Sequence, residues 1–506
     1  MGTHGIWIPK THHGGGSPVI RGLTGNQTLV LIDGIRLNNS TYGNHLLPYL
    51  NTLDPLAISS VEITRGSGST EYGTDALGGV IHFHSKKPEF TDEGLKISGR
   101  STLRYGTAFR ERENAGQEQT ARAELNFATP NIATRLGLSY KQFGNLVAGG
   151  DLGAQVPSSY QEVDGDFQSR IRLGKHQITL AWQQVSQDSI DRLDELTSSG
   201  AYDLFQYDPQ VRTLTYARYI YKVDKRWIKE LRITPAFQQS IEQRNKRLKG
   251  TTTTLQERDE IQTQSLSVEI RSEPSINHHI ISGIEFYRDE VFSEIKSIAE
   301  NGDSTLLAGI YPNGATAANL SVFTLHKFRL KKLNLEGGLR YNRIQLEAFD
   351  PLFLNLSLQP DAVVGHIGGS YQLGRSSEFY NHTSHRIFVE VNTGFRAPNI
   401  HDWAGLGSFA QGFEVPNEAL RSERNRTVEL GYRLAAQRTQ FNLTGYYTQL
   451  SNLISLNPTQ FDGSDSLIGQ RVFTQSNIDE AFVLGVEAQV KAIINPHLIV
   501  TAQGTY

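Results

Sequence analysis

The sequence predicts an all-β membrane protein, a large antiparallel barrel preceded by a small glycine-rich α+β domain. Three observations predict it. From Leu95 onward, apolar and polar residues alternate with period two over segments of ~10 residues or longer. The connections between segments are alternately short and long. Aromatic residues gather near segment ends, at Tyr105, Tyr140, Phe143, Tyr221, Trp227, Tyr341, Phe395, Tyr446 and Tyr447, where the interfacial girdle of a barrel would hold them. A soluble sandwich also alternates, with its apolar face inside. Strand length, connection asymmetry and aromatic placement favour the barrel.

Residues 1–90 form the compact first domain. Gly5 to Ile8 reads as a strand stopped by Pro9, and Gly14-Gly15-Gly16 as a loop. Leu29 to Ile32 is a short apolar strand closed by Asp33-Gly34, a strong turn dipeptide. Asn44 to Ile58 carries a short helical reading with proline near each end. Val61 to Thr64 is a second strand, closed by Arg65-Gly66. A glycine-rich loop follows, and Gly79 to His84 is a third strand. Gly66, Gly68, Gly73, Gly78 and Gly79 suit positive φ and close backbone approach. Charge and proline at Lys86-Lys87-Pro88-Glu89 end the domain.

Residues 91–506 carry the barrel pattern. Leu333, Leu335, Gly337, Leu339 and Tyr341 alternate with Asn334, Glu336, Gly338, Arg340 and Asn342. Ala121 to Phe127, Ile178 to Trp182 and Val428 to Leu434 repeat the pattern. On the order of 16 or 17 strands result. Short turns fall at Thr129-Pro130-Asn131, Lys331-Lys332 and Ala435–Gln437; long polar loops fall near 144–165, 187–209, 296–318, 397–425 and 451–480.

Composition narrows the function. The chain has 506 residues, a net charge of -3 and no basic stripe, so nucleic acid is not an expected partner. Cysteine is absent, which excludes thiolate metal sites and cysteine nucleophiles. No apolar run approaches the length of a transmembrane helix, and no signal peptide is visible at the start. Gly-Lys-Ser/Thr is absent, so the glycine-rich loop is no phosphate loop. His13-Gly14-Gly15-Gly16 is similar to a lipase oxyanion segment, but no Gly-x-Ser-x-Gly accompanies it. No paired-carboxylate, triad or metal-ligand spacing stands out, and an enzyme is not expected.

The boxes taken together resemble the TonB-dependent outer-membrane receptors. They are Leu29–Asn38, Val61–Pro88, Thr393-Gly394-Phe395-Arg396-Ala397-Pro398, Pro416–Glu423, Val428–Tyr432 and Leu484–Ala488. Their order spans nearly the whole chain. The resemblance implies a plug domain inside a barrel of the 22-stranded class, in the outer membrane of a Gram-negative bacterium. It implies a receptor that binds a scarce ligand outside and releases it inward when the TonB-ExbB-ExbD complex pulls on the plug. Outer-membrane lipid is a partner, and a surface lipoprotein is a further partner left open. The chain departs from the family at both ends: no TonB-contacting box is visible, and the strand count stops short of closure. A truncated chain is the expectation, and a non-transporting fragment or a passive channel stays open.

The family pairs two plug arginines in Arg-Gly contexts with two barrel glutamates. The matching positions are Arg21, Arg65, Glu429 and Glu487. Both glutamates fall on the polar phase of their strands, hence inward. Ordinary solvated charges are the alternative. For the ligand, the resemblance leaves a ferric siderophore, haem and cobalamin open, with an iron complex first and no permanently bound cofactor. His401 lies where haem receptors carry a histidine, and His12, His13 and His45 are plug candidates for a second axial ligand. Trp403, Phe409, Phe413 and Tyr207 are candidate lining residues of either kind of site.

Overall fold

The computed structural model describes the chain except residues 1–5, 11–12, 14, 44–48, 109–115, 198–199, 377–382 and 410–411. For residues 49, 224, 375–376, 408–409 and 479 it describes the backbone alone.

In the first domain, β1 (Ile6–Trp7) pairs with β2 (Val19–Ile20). A mixed four-stranded sheet follows, made of β3 (Thr28–Ile32), β4 (Ile35–Arg36), β5 (Ile58–Arg65) and β6 (Gly79–Ser85), in the order β4-β3-β6-β5. Asp33 and Gly34 have φ of 50° and 84°, the left-handed pair that a two-residue hairpin turn demands. The glycine-rich loop holds one turn of helix, Ser69–Tyr72, which the sequence left as loop. The helical expectation over 44–58 is corrected: residues 44–48 lie outside the described residues, and the rest holds two 3-10 turns, Tyr49–Asn51 and Pro55–Ala57. Asp54 caps the second turn by accepting from the Leu56 N–H.

Among the described residues, seventeen strands of eight or more residues follow. They are β7 (Lys96–Thr107), β8 (Gln117–Ala128), β9 (Ile132–Phe143), β10 (Tyr160–Leu173), β11 (His176–Asp188), β12 (Tyr202–Lys225), β13 (Ile228–Leu248), β14 (Thr254–Ser275) and β15 (His278–Ile298). Next come β16 (Ala315–Leu330), β17 (Leu333–Asp350), β18 (Asp361–Ser376), β19 (Thr383–Arg396), β20 (Glu423–Ala435), β21 (Thr439–Pro458), β22 (Gln470–Asn495) and β23 (Leu498–Thr505). Sequential antiparallel ladders curl this sheet into a barrel around the first domain. All eight residues of β23 are exposed.

The barrel is apolar outside and polar inside. Leu125, Leu136, Leu180, Leu339, Val389 and Leu430 are exposed, while Arg122, Glu124, Arg340, Asn342, Thr427 and Glu429 are buried. Only a wall that faces lipid on one side and a polar lumen on the other reads this way. Strand length adds to the point. β12 has 24 residues, about 80 Å at the usual rise, against an apolar band of about 25 Å. The strands therefore run on into segments read as loops, including parts of 144–165, 187–209, 296–318 and 451–480. Beyond the membrane both faces are wet, so the alternation fades while backbone pairing continues.

The first domain is docked on the wall by an apolar patch. Ile32, Leu37, Ile81 and Phe83 share one buried cluster with Ala181, Leu214 and Tyr216 of the barrel.

Candidate functional site

The four charges singled out in the sequence meet in the lumen. The backbone turn at Ile20–Leu23 places the first. Ile20 and Leu23 exchange N–H···O bonds of 2.9 and 3.0 Å, and Arg21 and Gly22 at the tip have φ of 50° and 81°. This is a two-residue turn with both tip residues left-handed, where glycine is favoured second. Arg21 pays for its backbone geometry with contacts. Its Nη1 donates to Glu429 Oε1 at 2.7 Å, and its Nε donates to Glu487 Oε1 at 3.0 Å. Its guanidinium lies 3.8 Å over the Tyr446 ring. Arg65, at the end of β5, reaches Glu487 Oε2 at 2.9 Å.

The ladder explains the spacing. Glu429 on β20 faces Tyr446 on β21, and Tyr446 in turn faces Gly485 on β22, two residues before Glu487. A Cβ on Gly485 would come 2.4 Å from the Tyr446 hydroxyl, so glycine there lets the ring lie flat beneath Arg21. The side chains of Arg21 and Glu487 are each 6 % exposed, and that of Arg65 is 32 % exposed. Burial alone would lower the Arg21 pKa, but the hydrogen bonds from Arg21 to Glu487 and Glu429 and their charges outweigh it and raise it.

A second anchor was not legible in the sequence. Asp54 of the first domain lies among barrel side chains: Arg122 Nη1 at 2.8 Å, Lys141 Nζ at 2.9 Å and the Ser139 hydroxyl at 2.7 Å. Arg122 also binds Glu124 and Asp166, and Lys141 binds Glu162 and Asp164. Burial would raise the Asp54 pKa, yet Lys141 and the donated hydrogen bonds pull it below the usual carboxylate value. The available signal was a run of charges on the inward phase of β8, β9 and β10.

The Thr393–Pro398 box forms a third attachment. Arg396 is fully buried and bonds Glu423 at 2.7 Å and Asp402 at 2.5 Å. Around it, the Phe395 N–H donates to Ser69 Oγ, the Ala397 N–H to Thr74 Oγ1, and the Asn399 side chain to the Tyr42 carbonyl. Two strands along the same wall, on β17, Arg340 donates to the Thr70 and Glu71 carbonyls.

The ligand-binding candidates fare differently. His12 and His45 lie outside the described residues, as does the Phe409 side chain. His401 Nδ1 is 3.1 Å from the Tyr311 hydroxyl, and its N–H bonds the Ser40 carbonyl. Burial, then Arg396 and Arg244, push the His401 pKa down to about 4. His13 packs edge-on against Phe143 and Tyr160, with Nδ1 3.2 Å from the Ser158 carbonyl. No described contact joins His13 to His401. Of the aromatic candidates, Trp403 is 1 % exposed in the largest core, Phe413 packs with Val415 and Val472, and Tyr207 with Tyr160 and Ile190. These aromatics gain more from mutual burial than from standing in water.

Two cavities stand out among the described residues. One, of about 700 Å³, lies at the long-loop end, lined by Leu306, Ile310, Tyr311, Phe349 and Leu406 with Arg258. His401 sits one layer behind it, on Tyr311. The other, of about 410 Å³, lies between the plug sheet and the wall, toward the short turns. There the expectation of no metal-ligand set meets an exception, since Glu62, His82 and His84 converge on the edge of the plug sheet.

A barrel with a lipid-facing apolar exterior, a polar lumen and a domain moored inside it by two ionic clusters and a third set of hydrogen bonds is a plugged membrane receptor. Residues 171–506 match the model of the TonB dependent receptor-like beta-barrel, and residues 2–80 match the TonB-dependent receptor plug domain. The chain belongs to the TonB-dependent receptor family, whose barrels sit in the Gram-negative outer membrane and whose members are transporters, not enzymes. Among relatives, the vitamin B12 transporter BtuB of Vibrio vulnificus strain CMCP6 is 22 % identical over 457 residues, 87 % of this chain and 61 % of its own. The iron-regulated outer membrane virulence protein of Vibrio cholerae serotype O1 is 37 % identical over 106 residues, 20 % of this chain and 15 % of its own. The chain thus spans less than two thirds of both relatives. The copper transporter OprC superposes with a TM-score of 0.79 at 14 % identity, covering 100 % of this chain and 77 % of that one. The Serratia marcescens hemophore receptor HasR, solved with its hemophore HasA and heme, gives 0.75 at 17 %, covering 100 % and 78 %. Identities this low speak for the fold alone.

Proposed function

We propose that this chain is the plugged barrel of an energised outer-membrane receptor that takes up a ferric siderophore, with TonB-ExbB-ExbD supplying the pull. The observation that carries the reading is the moored plug. Arg21, Arg65, Glu429 and Glu487 tie residues 21 and 65 to the far end of the barrel. A passive pore has no use for a lumen filled in this way. The ion cluster holds the plug in register at rest, and each contact is polar, so water that enters as the plug is drawn inward replaces it.

The ligand assignment rests on the iron-regulated relative and on the placement of the histidines. His401 is engaged with Tyr311 and His13 with Phe143 and Tyr160, which speaks against an axial pair made of these two. The test titrates the purified chain with ferric siderophores, their iron-free forms, haemin and cyanocobalamin, following tryptophan quenching and the Soret band. Saturable quenching by a ferric chelate, and not by its iron-free form, is expected. A Soret shift assigns haem instead, and saturation by cyanocobalamin alone assigns cobalamin; either overturns the siderophore reading. Energised transport is tested by uptake in cells with and without TonB, and uptake that persists without TonB would assign a passive channel.

A further inference from the structure

We propose that Glu62, His82 and His84 form a binding site for a divalent late first-row transition-metal ion on the plug, beside the inner cavity. The sheet builds the site. His82 and His84 are two apart on β6 and share a face. Glu62 on β5 is the direct register partner of His82, so its side chain rises from that same face. The two imidazole rings lie 4.0 Å apart between centroids. Glu62 Oε1 is 3.4 Å from His84 Nε2, and one ligand atom from each of the three lies within 4.8 Å of the others.

Two further facts point to an ion. First, His82 Nε2 and His84 Nε2 are shielded from water and make no hydrogen bond, the second having only the Glu62 carboxylate at 3.4 Å. A neutral imidazole nitrogen left in that state is costly, and metal coordination is one of the few ways to satisfy two side by side. Second, the distances suit it. Tetrahedral coordination with bonds of 2.0–2.1 Å sets donor atoms about 3.3–3.4 Å apart. The Glu62 side chain is 70 % exposed and free to close the remaining gap by rotation.

The donor set selects the metal. Two imidazoles and a carboxylate suit Zn(II), Ni(II) and Cu(II); Ca(II) and Mg(II) ask for oxygen cages, and Cu(I) for sulfur. Nearby charges are mixed, with Lys87 and Arg218 set against Asp33 and Glu71 around the cavity. The Glu62 carboxylate supplies negative charge at the site itself. Three protein ligands leave coordination positions open toward solvent, as in a site that takes up and passes on an ion. An ion held there would also staple the edge strand β5 to β6, and β5 ends at Arg65 of the ion cluster.

The test uses the folded full chain and metal alone. Zn(II) affinity is read by competition with a chromophoric chelator, and Cu(II) bound at one equivalent is read by electron paramagnetic resonance. Variants are Glu62→Gln, His82→Asn and His84→Gln, with heat-modifiable gel mobility as the check on folding. One-to-one Zn(II) binding, a two-nitrogen Cu(II) spectrum and at least ~10-fold weaker binding in each histidine variant are expected. Zn(II) affinity unchanged in a His82→Asn/His84→Gln double variant would place the ion elsewhere, for example at the His278–His326 pair, which lies 3.1 Å apart. That result, or a wild-type chain that binds no Zn(II), overturns the proposal.

Discussion

Gly66 and Glu429 are in such close contact that a Cβ on the glycine would stand 2.4 Å from the glutamate Oε1. The same added carbon would stand 3.0 Å from Arg21 Nη1, and Gly66 has φ of 80°. The second Arg-Gly pair therefore serves two ends: Arg65 reaches Glu487, and the residue after it must leave room for the first ion pair. Gly66→Ala is expected to destabilise plug docking by ~2 kcal/mol or more, from backbone strain plus the displaced carboxylate. Urea-induced protease sensitivity of the plug, followed while the barrel keeps its heat-modifiable mobility, measures it. Unaltered sensitivity would show that the contact relaxes at no cost.

Arg21 and Arg65 should differ in weight. Removing Arg21 leaves Glu429 and one Glu487 oxygen without their main partner in a buried setting, a loss of about 3–5 kcal/mol in plug docking. Arg65 is a third exposed, and its removal should cost about 1 kcal/mol after solvent screening. Arg21→Ala and Arg65→Ala, compared by the same urea assay, should fall in that order. Equal effects would mean that the cluster acts as a single solvated patch.

Asp54 sets an acid limit. Its folded-state pKa is depressed below the ordinary value of 3.8, so its contribution is present above that value. It is lost as pH falls through the depressed folded value. Plug docking should weaken from about pH 4 downward, and Asp54→Asn should weaken docking at neutral pH while flattening this acid limb. Docking measured from pH 3 to 7 in both chains checks it; parallel curves would remove Asp54 from the account.

The outward face answers to lipid. Leu430 is exposed on β20, next to the buried Glu429. Leu430→Arg should cost about 2–4 kcal/mol in folding into vesicles if the position lies near the bilayer midplane. Guanidinium titration of the vesicle-folded chain measures it, and a change near zero would put this stretch of β20 outside the apolar band.

The sequence disclosed what depends on period and order, and hid what depends on how the plug is turned within the barrel. Glu429 and Glu487 were legible as inward-facing because strand phase alone decides it. Asp54 was not, because nothing in residues 49–57 says which wall that loop will face. Trp403 and Phe413 looked like outer-loop aromatics because their loop is long and polar; the fold packs it inward, with the Asn399–Asp402 capping box starting a helical turn beside Arg396. His82 and His84 were passed over because a lone His-x-His says little until Glu62 is aligned opposite. The strand extensions were hidden because alternation ends where lipid ends.

The bond from Arg21 to Glu487 closes a loop spanning 466 residues, and the one to Glu429 a loop spanning 408. Neither partner exists in place until β20 and β22 have paired, more than 400 residues after Arg21. Loop closure over such distances adds only a logarithmic entropy penalty, but it imposes an order of events. The plug is held through Asp54 on β8 and β9 before Arg21 can find its partners on these later strands. A chaperone that shields the plug during that interval, or a barrel built around it as a template, would each leave a kinetic signature: a lag between closure of the early strands and protection of Arg21.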